Sequence, residues 1–143
     1  APCMLLYANV DNMSAINAVA GRAEGDRVLR YLADQLQLLW PHRGWAARVS
    51  GDKFALLLRG CSAQQAMVLA QRLCEQARHW RPRSQLLQIP LTLSIGLVPV
   101  SGEHAGAEAL VRAGDLACYR AKRSGGDGVH CDSRHLPAVA APK

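Results

Sequence analysis

The sequence predicts an α+β domain in which helices flank a mostly antiparallel central sheet. Three observations predict this class. The 143 residues suit one domain, and half of them are apolar, which is enough for a sizeable core. The predicted elements follow the order βααββαβαβ. Two of the strands are joined by a short polar turn, which indicates a hairpin rather than the strict strand–helix alternation of a doubly wound parallel sheet.

The chain opens with a predicted strand and helix. Residues 3–10 form an apolar run typical of a buried strand. Asp11 or Asn12 can cap the helix that follows, because short polar side chains accept hydrogen bonds from free helical N–H groups. Gly21 and Gly25 are expected to break that helix.

A longer helix and a hairpin come next. We expect Asp26 to open this helix and Pro41 to end it. Residues 45–49 and 54–58 are short apolar runs, and the turn-forming residues 50–53 lie between them.

The second half continues with alternating elements. Residues 62–80 predict an amphipathic helix capped by Ser62, and residues 90–99 predict a strand. Residues 107–123 predict a last helix, which is followed by a short strand around residues 129–131.

The segment is expected to be a cytoplasmic domain at residues 1–132, with a linker at 133–143 that leads to a further domain. The tail is rich in Ala and Pro, and the chain starts without Met, so it resembles a piece of a longer protein. No apolar run approaches the roughly 18 residues of a membrane span, so we expect no membrane contact by this domain, although it could belong to a membrane-anchored protein. The five cysteines are odd in number and widely spaced, which argues for reduced thiols.

The formal charge of +6 permits an anionic partner such as a nucleotide, a nucleic acid or an acidic lipid. Sheet-based RNA-binding domains stack bases on aromatic side chains. This chain has one Phe and no strand rich in aromatic residues, which argues against a nucleic-acid partner.

Two segments carry residues suited to phosphate chemistry. The first strand ends in Asn9, Val10 and Asp11, and the hairpin tip holds Gly51 and Asp52. In this topology both segments can meet at one edge of the sheet, where carboxylates could hold Mg²⁺ and a triphosphate. Gly51 would allow its backbone to approach a ligand closely.

Asn17 and Asp26 form a pair suited to guanine. A carboxylate accepts from the ring N–H and the exocyclic amino group, and an amide donates to the carbonyl oxygen. Taken alone, each residue has a simpler interpretation, because Asp26 could be a helix cap and Asn17 a surface residue.

The order of these motifs resembles the GGDEF domain family, the diguanylate cyclases that join two GTP molecules into cyclic di-GMP. The resemblance covers roughly residues 4–130. The family patterns Asp-x-Asp-x-Phe-Lys-x-x-Asn, Gly-Asp, Arg-x-Gly-Gly-Asp-Glu-Phe, Thr-x-Ser-Ile-Gly and Ala-Asp-x-Ala-Leu-Tyr-x-Ala-Lys are matched in order. The corresponding segments are Asn9–Asn17, Gly25–Asp26, Arg48–Phe54, Thr92–Gly96 and Gly114–Lys122.

The departures from the family fall on the metal-binding and catalytic positions. The resemblance implies metal contacts by the residue at Asn9, the backbone carbonyl of Val10 and the carboxylate of Asp52. Asn9 replaces an acid and is an impaired ligand. Lys53 replaces the Glu of the hairpin motif, which here reads Ser50, Gly51, Asp52, Lys53 and Phe54. The site is therefore three charge units more positive than the family pattern, and a lysine ammonium competes with Mg²⁺ for space.

The phosphate positions are also altered. Ser14 and Gly126 replace a Lys and an Arg that hold phosphate in the family, whereas Lys122 matches a phosphate-contacting lysine. Asn17 and Asp26 match the guanine-binding pair.

Five further comparisons with the family concern supporting positions. Arg48, Asp115 and Tyr119 match family positions, and a structural role for them is as plausible as a ligand contact. Asp11 could supply a substitute carboxylate, but a helix cap is favoured. The family's Arg-x-x-Asp inhibition site corresponds to Pro41 and Gly44, so it is not expected here.

The function predicted by these residues is a degenerate, non-catalytic GGDEF domain that acts as a regulatory or dimerisation module. Weak binding of GTP with Mg²⁺ is compatible with it, and by family analogy an EAL phosphodiesterase-type domain is the expected neighbour. The alternative is a weakly active diguanylate cyclase.

Overall fold

The computed structural model describes residues 2–39, 46–50, 52–79, 91–101 and 106–132. Its elements follow the predicted order, so the predicted α+β fold class is confirmed. They are β1 (Cys3–Val10), α1 (Met13–Ala20), α2 (Arg22–Leu39), β2 (Ala46–Ser50), β3 (Lys53–Arg59), α3 (Ala63–His79), β4 (Leu93–Pro99), α4 (Gly106–Arg123) and β5 (Gly128–Cys131).

The five strands form one sheet in the order β2-β3-β1-β4-β5. β1 is central and pairs antiparallel with both β3 and β4, and β2 pairs antiparallel with β3. The parallel pair is β4 with β5, which the α4 crossover joins. In this register Asn9 lies opposite Lys53 on one side and Ser94 on the other, so the end of β1 is flanked by both neighbouring strands.

The side chains of β1 alternate between two hydrophobic clusters, as expected of a strand buried on both faces. Met4, Leu6 and Ala8 pack into the larger cluster, together with side chains of α1, α2 and α3. Leu5 and Tyr7 pack into the smaller cluster with α4. Helices therefore cover both faces of the sheet, and α4 stands on the side to which the odd-numbered residues of β1 point.

Two glycines allow α4 to approach the sheet closely. A Cβ atom at Gly96 of β4 would lie 2.4 Å from the Cys118 backbone nitrogen, and one at Gly114 would lie 2.9 Å from a Leu5 methyl carbon. At Gly96 the short contact is with backbone, so that position requires the absence of a side chain, whereas at Gly114 the buried Leu5 and Tyr7 side chains would have to shift. This contact places the middle of α4, which carries Asp115, against Leu5 and Tyr7 of β1.

The predicted boundary between the first two helices is wrong. Gly21, at φ +87°, ends α1, and its N–H donates to the Asn17 carbonyl at 2.9 Å. Gly25 and Asp26 lie within α2, which begins at Arg22. Gly25 does not break the helix because it is a packing contact: a Cβ there would lie 2.0 Å from Asn17 Oδ1.

The two predicted N-caps differ in outcome. Ser62 caps α3: its Oγ accepts from the Gln65 N–H at 3.1 Å, and Gln65 Oε1 accepts from the Ser62 N–H at 2.9 Å, a reciprocal capping box. Asn12 holds the N-cap position of α1 but makes no side-chain capping hydrogen bond. The capping role predicted for Asp11 is also wrong, because its carboxylate is engaged elsewhere.

Several predicted features fall outside the described residues, namely Pro41, Gly44, Gly51, Pro90 and the tail at 133–143. All five cysteines are described, and they are free thiols. Within the described segments, no helix is both long enough and apolar enough to cross a membrane.

Candidate nucleotide site

The end of β1 and the tip of the β2–β3 hairpin meet at one edge of the sheet. The Val10 N–H donates to the Asp52 carbonyl at 3.2 Å. The Asn9 amide nitrogen donates to the Asp52 carboxylate, with Nδ2 3.3 Å from Oδ2. Asn9, Val10 and Asp52, the residues predicted for metal contact, are therefore neighbours.

Asn9 is buried, with 1% of its surface exposed. Its Nδ2 uses Asp52 as acceptor, but its Oδ1 is buried and has no hydrogen-bond partner in the described part of the chain. A buried acceptor without a donor costs free energy, so this oxygen is suited to a donor or a cation arriving from outside.

Lys53 does not point into the space beside Asp52 but toward α4. Its Nζ lies 3.2 Å from Asp115 Oδ1 in an ion pair whose side chains are 35% and 53% exposed. The Tyr7 hydroxyl hydrogen-bonds to the same carboxylate. Burial raises the pKa of Tyr7, and the charge of Asp115 raises it further, so the hydroxyl stays protonated as a donor. The expected crowding between the Lys53 ammonium and Mg²⁺ is thus relieved by Asp115.

The Asp11 carboxylate links three parts of the molecule. Its Oδ1 accepts from Ser94 Oγ at 2.5 Å, and its Oδ2 accepts from Thr92 Oγ1 at 2.8 Å and from the Asp127 N–H at 3.0 Å. Arg78 of α3 in turn donates to the Asp127 carboxylate at 2.8 Å. Asp11 is therefore a structural acceptor for β4 and the turn after α4.

A cavity of about 420 Å³ opens on the α1–α2 side of this edge. It is lined by Met13, Ser14, Asn17, Arg22, Asp26, Leu29 and Asp52. Both predicted guanine-binding residues, Asn17 and Asp26, lie in this lining. Close packing against Gly25 buries Asn17 Oδ1, which has no partner in the described structure, so the orientation of the amide is set by helix packing.

The donor set fits a divalent cation poorly. Mg²⁺ prefers charged oxygen ligands. At this edge Asp52 supplies a carboxylate that already accepts from an amide, and Asn9 supplies a neutral oxygen. No group of three or more His, Cys, Asp or Glu side chains is placed to hold a metal ion in the described segments.

The positions predicted to hold phosphate lie around the same edge. Ser14 is exposed at the cavity, and Lys122 is exposed on α4. Gly126 adopts φ +71°, and a Cβ there would lie 3.1 Å from Asp11 Oδ2. An arginine at this position would thus meet both an unfavourable backbone conformation and the Asp11 carboxylate.

The remaining predicted residues have mixed placements. Phe54 is 6% exposed and belongs to the core, and Tyr119 is 56% exposed on α4. In the backbone ladder, Arg48 lies opposite Phe54 and Ser50 opposite Lys53.

Two features were not predicted from the sequence. The contact of Lys53 and Tyr7 with Asp115 could have been inferred in part. Tyr7 and Asn9 lie two residues apart and therefore on one face of β1, and Lys53 is the cross-strand partner of Asn9. Arg22 lines the cavity, and nothing in its local spacing predicts that position.

Comparisons with known proteins identify the family. A model described as diguanylate cyclase, GGDEF domain, matches residues 1–128. The chain is 31% identical over 123 residues to the probable diguanylate cyclase DgcE of Escherichia coli (strain K12), covering 85% of this chain and 11% of DgcE. It is 29% identical over 133 residues to diguanylate cyclase A of Treponema denticola, covering 93% of this chain and 36% of that protein. It therefore spans only a minor part of these relatives.

Solved structures show the same fold. The active GGEEF domain of a diguanylate cyclase from Vibrio cholerae superposes with a TM-score of 0.81 at 25% identity, covering 91% of this chain and 82% of that one. An EAL/GGDEF domain protein from M. capsulatus gives a TM-score of 0.78 at 31% identity, covering 91% and 84%. With nearly the whole chain matched by the family model and by these folds, the chain belongs to the GGDEF domain family.

Proposed function

We propose that this chain is a non-catalytic GGDEF domain that binds guanine nucleotide weakly and acts as a regulatory or dimerisation module in cyclic di-GMP signalling. The observation that carries the proposal is the edge formed by Asn9, Asp52 and Lys53. An amide and an ammonium stand where the family pattern has acids, and both already contact carboxylates of this chain.

The chemistry of cyclisation explains why these changes matter. Joining two GTP molecules requires attack of a hydroxyl on a phosphate, which catalysts promote by positioning the groups and stabilising the developing charge. Ser14 and Gly126 supply no cation for that purpose, and each lost charged hydrogen bond costs about 1.5–3 kcal/mol. Each ~1.4 kcal/mol is a factor of ten in rate, so we expect activity to fall by several orders of magnitude.

Weak guanine binding is supported by the cavity beside this edge. Asn17 and Asp26 line it together, in the positions that the family resemblance assigns to the base. Adenine presents an amino group where guanine presents a carbonyl, so an amide donor favours guanine.

A weakly active diguanylate cyclase is the second candidate. It is favoured by Asp52, the one acid of the hairpin motif that persists, and by the presence of both Asn17 and Asp26 in the cavity lining. A working cyclase would need Asp52 to release the Asn9 amide and bind a cation.

A product assay separates the two candidates. Purified protein is incubated with GTP and either Mg²⁺ or Mn²⁺, and the nucleotides are resolved by chromatography, with the active Vibrio cholerae domain as positive control. We expect no cyclic di-GMP from this chain. The Asn9→Asp, Lys53→Glu double variant restores acidic side chains and serves as the matched test of whether these two positions limit turnover. Sustained formation of cyclic di-GMP by the unaltered chain would favour the cyclase.

A neighbouring EAL phosphodiesterase-type domain is the expected output partner. The proposal is supported by the family analogy and by the similarity to an EAL/GGDEF domain protein from M. capsulatus. Nucleotide binding here can bias a neighbour only by its differential affinity for the neighbour's two states. The full-length gene tests the arrangement, and phosphodiesterase activity with and without this domain tests the coupling. A full-length protein with no such neighbour refutes the tandem arrangement.

A further inference from the structure

We infer that the ammonium of Lys53 takes the place of a divalent cation at this site, so that the polyphosphate of a guanine nucleotide binds without Mg²⁺. The inference rests on the nucleotide binding in the proposed function and adds how the phosphates are held. It follows from the poor fit of the donor set to a metal ion.

Lys53 lies next to the position at which a cation would bind. It is the direct cross-strand partner of Asn9, whose buried Oδ1 has no hydrogen-bond partner in the described structure. Directly opposed residues of an antiparallel pair have Cβ atoms about 4.5–5.5 Å apart, within the span of a lysine side chain. The Lys53 ammonium is therefore able to donate to Asn9 Oδ1, an oxygen that would otherwise coordinate a cation.

The net charge at Asn9, Asp52 and Lys53 favours an anion without a metal. Asn9, Asp52 and Lys53 together carry no net charge, whereas the family pattern places an acid at each of them. A divalent cation here meets one carboxylate, and the Lys53 ammonium repels it once that ammonium leaves Asp115. A phosphate, in contrast, can accept hydrogen bonds from the ammonium of Lys53, which replaces the third acid of the family pattern.

The ion pair of Lys53 with Asp115 can release the lysine. Both side chains are partly exposed, and exposed ion pairs contribute little to stability because water competes with them. When Lys53 leaves, the Tyr7 hydroxyl still donates to Asp115. The carboxylate therefore keeps a partner, and the cost of moving the ammonium to a phosphate is small.

Lys122 provides a second ammonium on the same side. Both Lys122 and Lys53 act on the buried Cys118 thiol of α4, where each lowers a pKa that burial and Asp115 raise to about 12. Lys122 also follows Asp115, the partner of Lys53, by seven residues on α4, a spacing that places both side chains on the same helix face about two turns apart. A polyphosphate between them accepts hydrogen bonds from both, while the base enters the cavity lined by Asn17 and Asp26.

The test is a titration of fluorescently labelled GTP against this chain, first in EDTA and then in excess Mg²⁺. We expect the two dissociation constants to agree within about threefold. GMP should bind more weakly than GTP in EDTA, because it lacks the polyphosphate. Lys53→Gln should weaken GTP binding in EDTA by roughly tenfold, the effect of one lost charged hydrogen bond.

Two variants control for fold and for overall charge. Lys53→Arg retains the cation and should restore affinity to within about threefold of the unaltered chain. Arg123→Gln removes the same charge from an exposed position on α4, next to Lys122, and should leave affinity unchanged.

Three results overturn the inference: no GTP binding in EDTA, whether or not GTP binds with Mg²⁺; GMP that binds as tightly as GTP; or an equal loss of affinity in Arg123→Gln and Lys53→Gln. Chromatography of the same samples keeps the proposed function separate. Accumulation of cyclic di-GMP refutes the non-catalytic assignment, whatever the titrations give.

Discussion

The Asp11 carboxylate, a candidate substitute ligand in the sequence, is a structural hydrogen-bond acceptor in the fold. It ends up accepting from two hydroxyls of the β4 region and from a backbone N–H of the turn after α4. Those donors include Ser94, which is fully buried. Hydrogen bonds to a charged acceptor are among the stronger contacts in a folded protein, and donors left unpaired by its removal incur a desolvation cost.

We therefore expect Asp11→Ala to lower the free energy of unfolding by about 2–4 kcal/mol. Urea denaturation followed by circular dichroism measures the change. Asp11→Asn keeps the shape and one acceptor oxygen, so it should lose less. Asp34→Ala removes an exposed carboxylate from α2 and should change stability by less than about 0.5 kcal/mol. Equal stability of Asp11→Ala and Asp34→Ala would contradict the structural role of Asp11.

Which residues meet at the site was only partly foreseeable. The predicted topology allowed Asn9 and Asp52 to meet at one edge of the sheet, and the family resemblance paired Asn17 with Asp26. The partner of Lys53 was not foreseen. Asp115 lies 62 positions away on a helix whose distance from the sheet depends on Gly96 and Gly114. Such a contact depends on three-dimensional packing, which local patterns do not encode.

At the scale of elements, the predicted strands and helices were found in the predicted order, and strong local patterns gave the best boundaries. The apolar run at residues 3–10 correctly predicted both ends of β1, and the cap at Ser62 correctly predicted the start of α3. The boundary between α1 and α2 was misplaced because Gly25 was taken as a helix breaker. Its lack of a side chain serves packing against Asn17, and tertiary packing outweighs the roughly 1 kcal/mol propensity cost of a helical glycine.

At the scale of the whole molecule, burial of thiols couples stability to alkaline pH. Burial raises the pKa of Cys74 and of Cys118 from 9.0 to about 12 in the folded chain. In the unfolded chain both thiols ionise near pH 9, so above that pH the folded state binds more protons than the unfolded state. Stability is therefore complete below about pH 9 and declines as the pH rises toward 12.

The slope is at most about 1.4 kcal/mol per pH unit for each thiol. Tyr7, whose pKa is also raised from 10.0, adds to the loss at higher pH. Urea denaturation at a series of pH values measures the slope, and the Cys74→Ala, Cys118→Ala double variant should flatten it between about pH 9 and pH 10. An unchanged slope in the double variant would contradict the assignment to these thiols.

The backbone at Gly126 bears on how this domain could evolve. Its left-handed conformation costs a residue with a side chain roughly 1–2 kcal/mol, and the adjoining Asp127 N–H is already committed to Asp11. Restoring the family's arginine there by a single codon change therefore disturbs a turn on which β4 and α3 also depend. Such a change would have to be accompanied by substitutions elsewhere in the turn, so this departure from the family pattern belongs to the backbone as well as to one side chain.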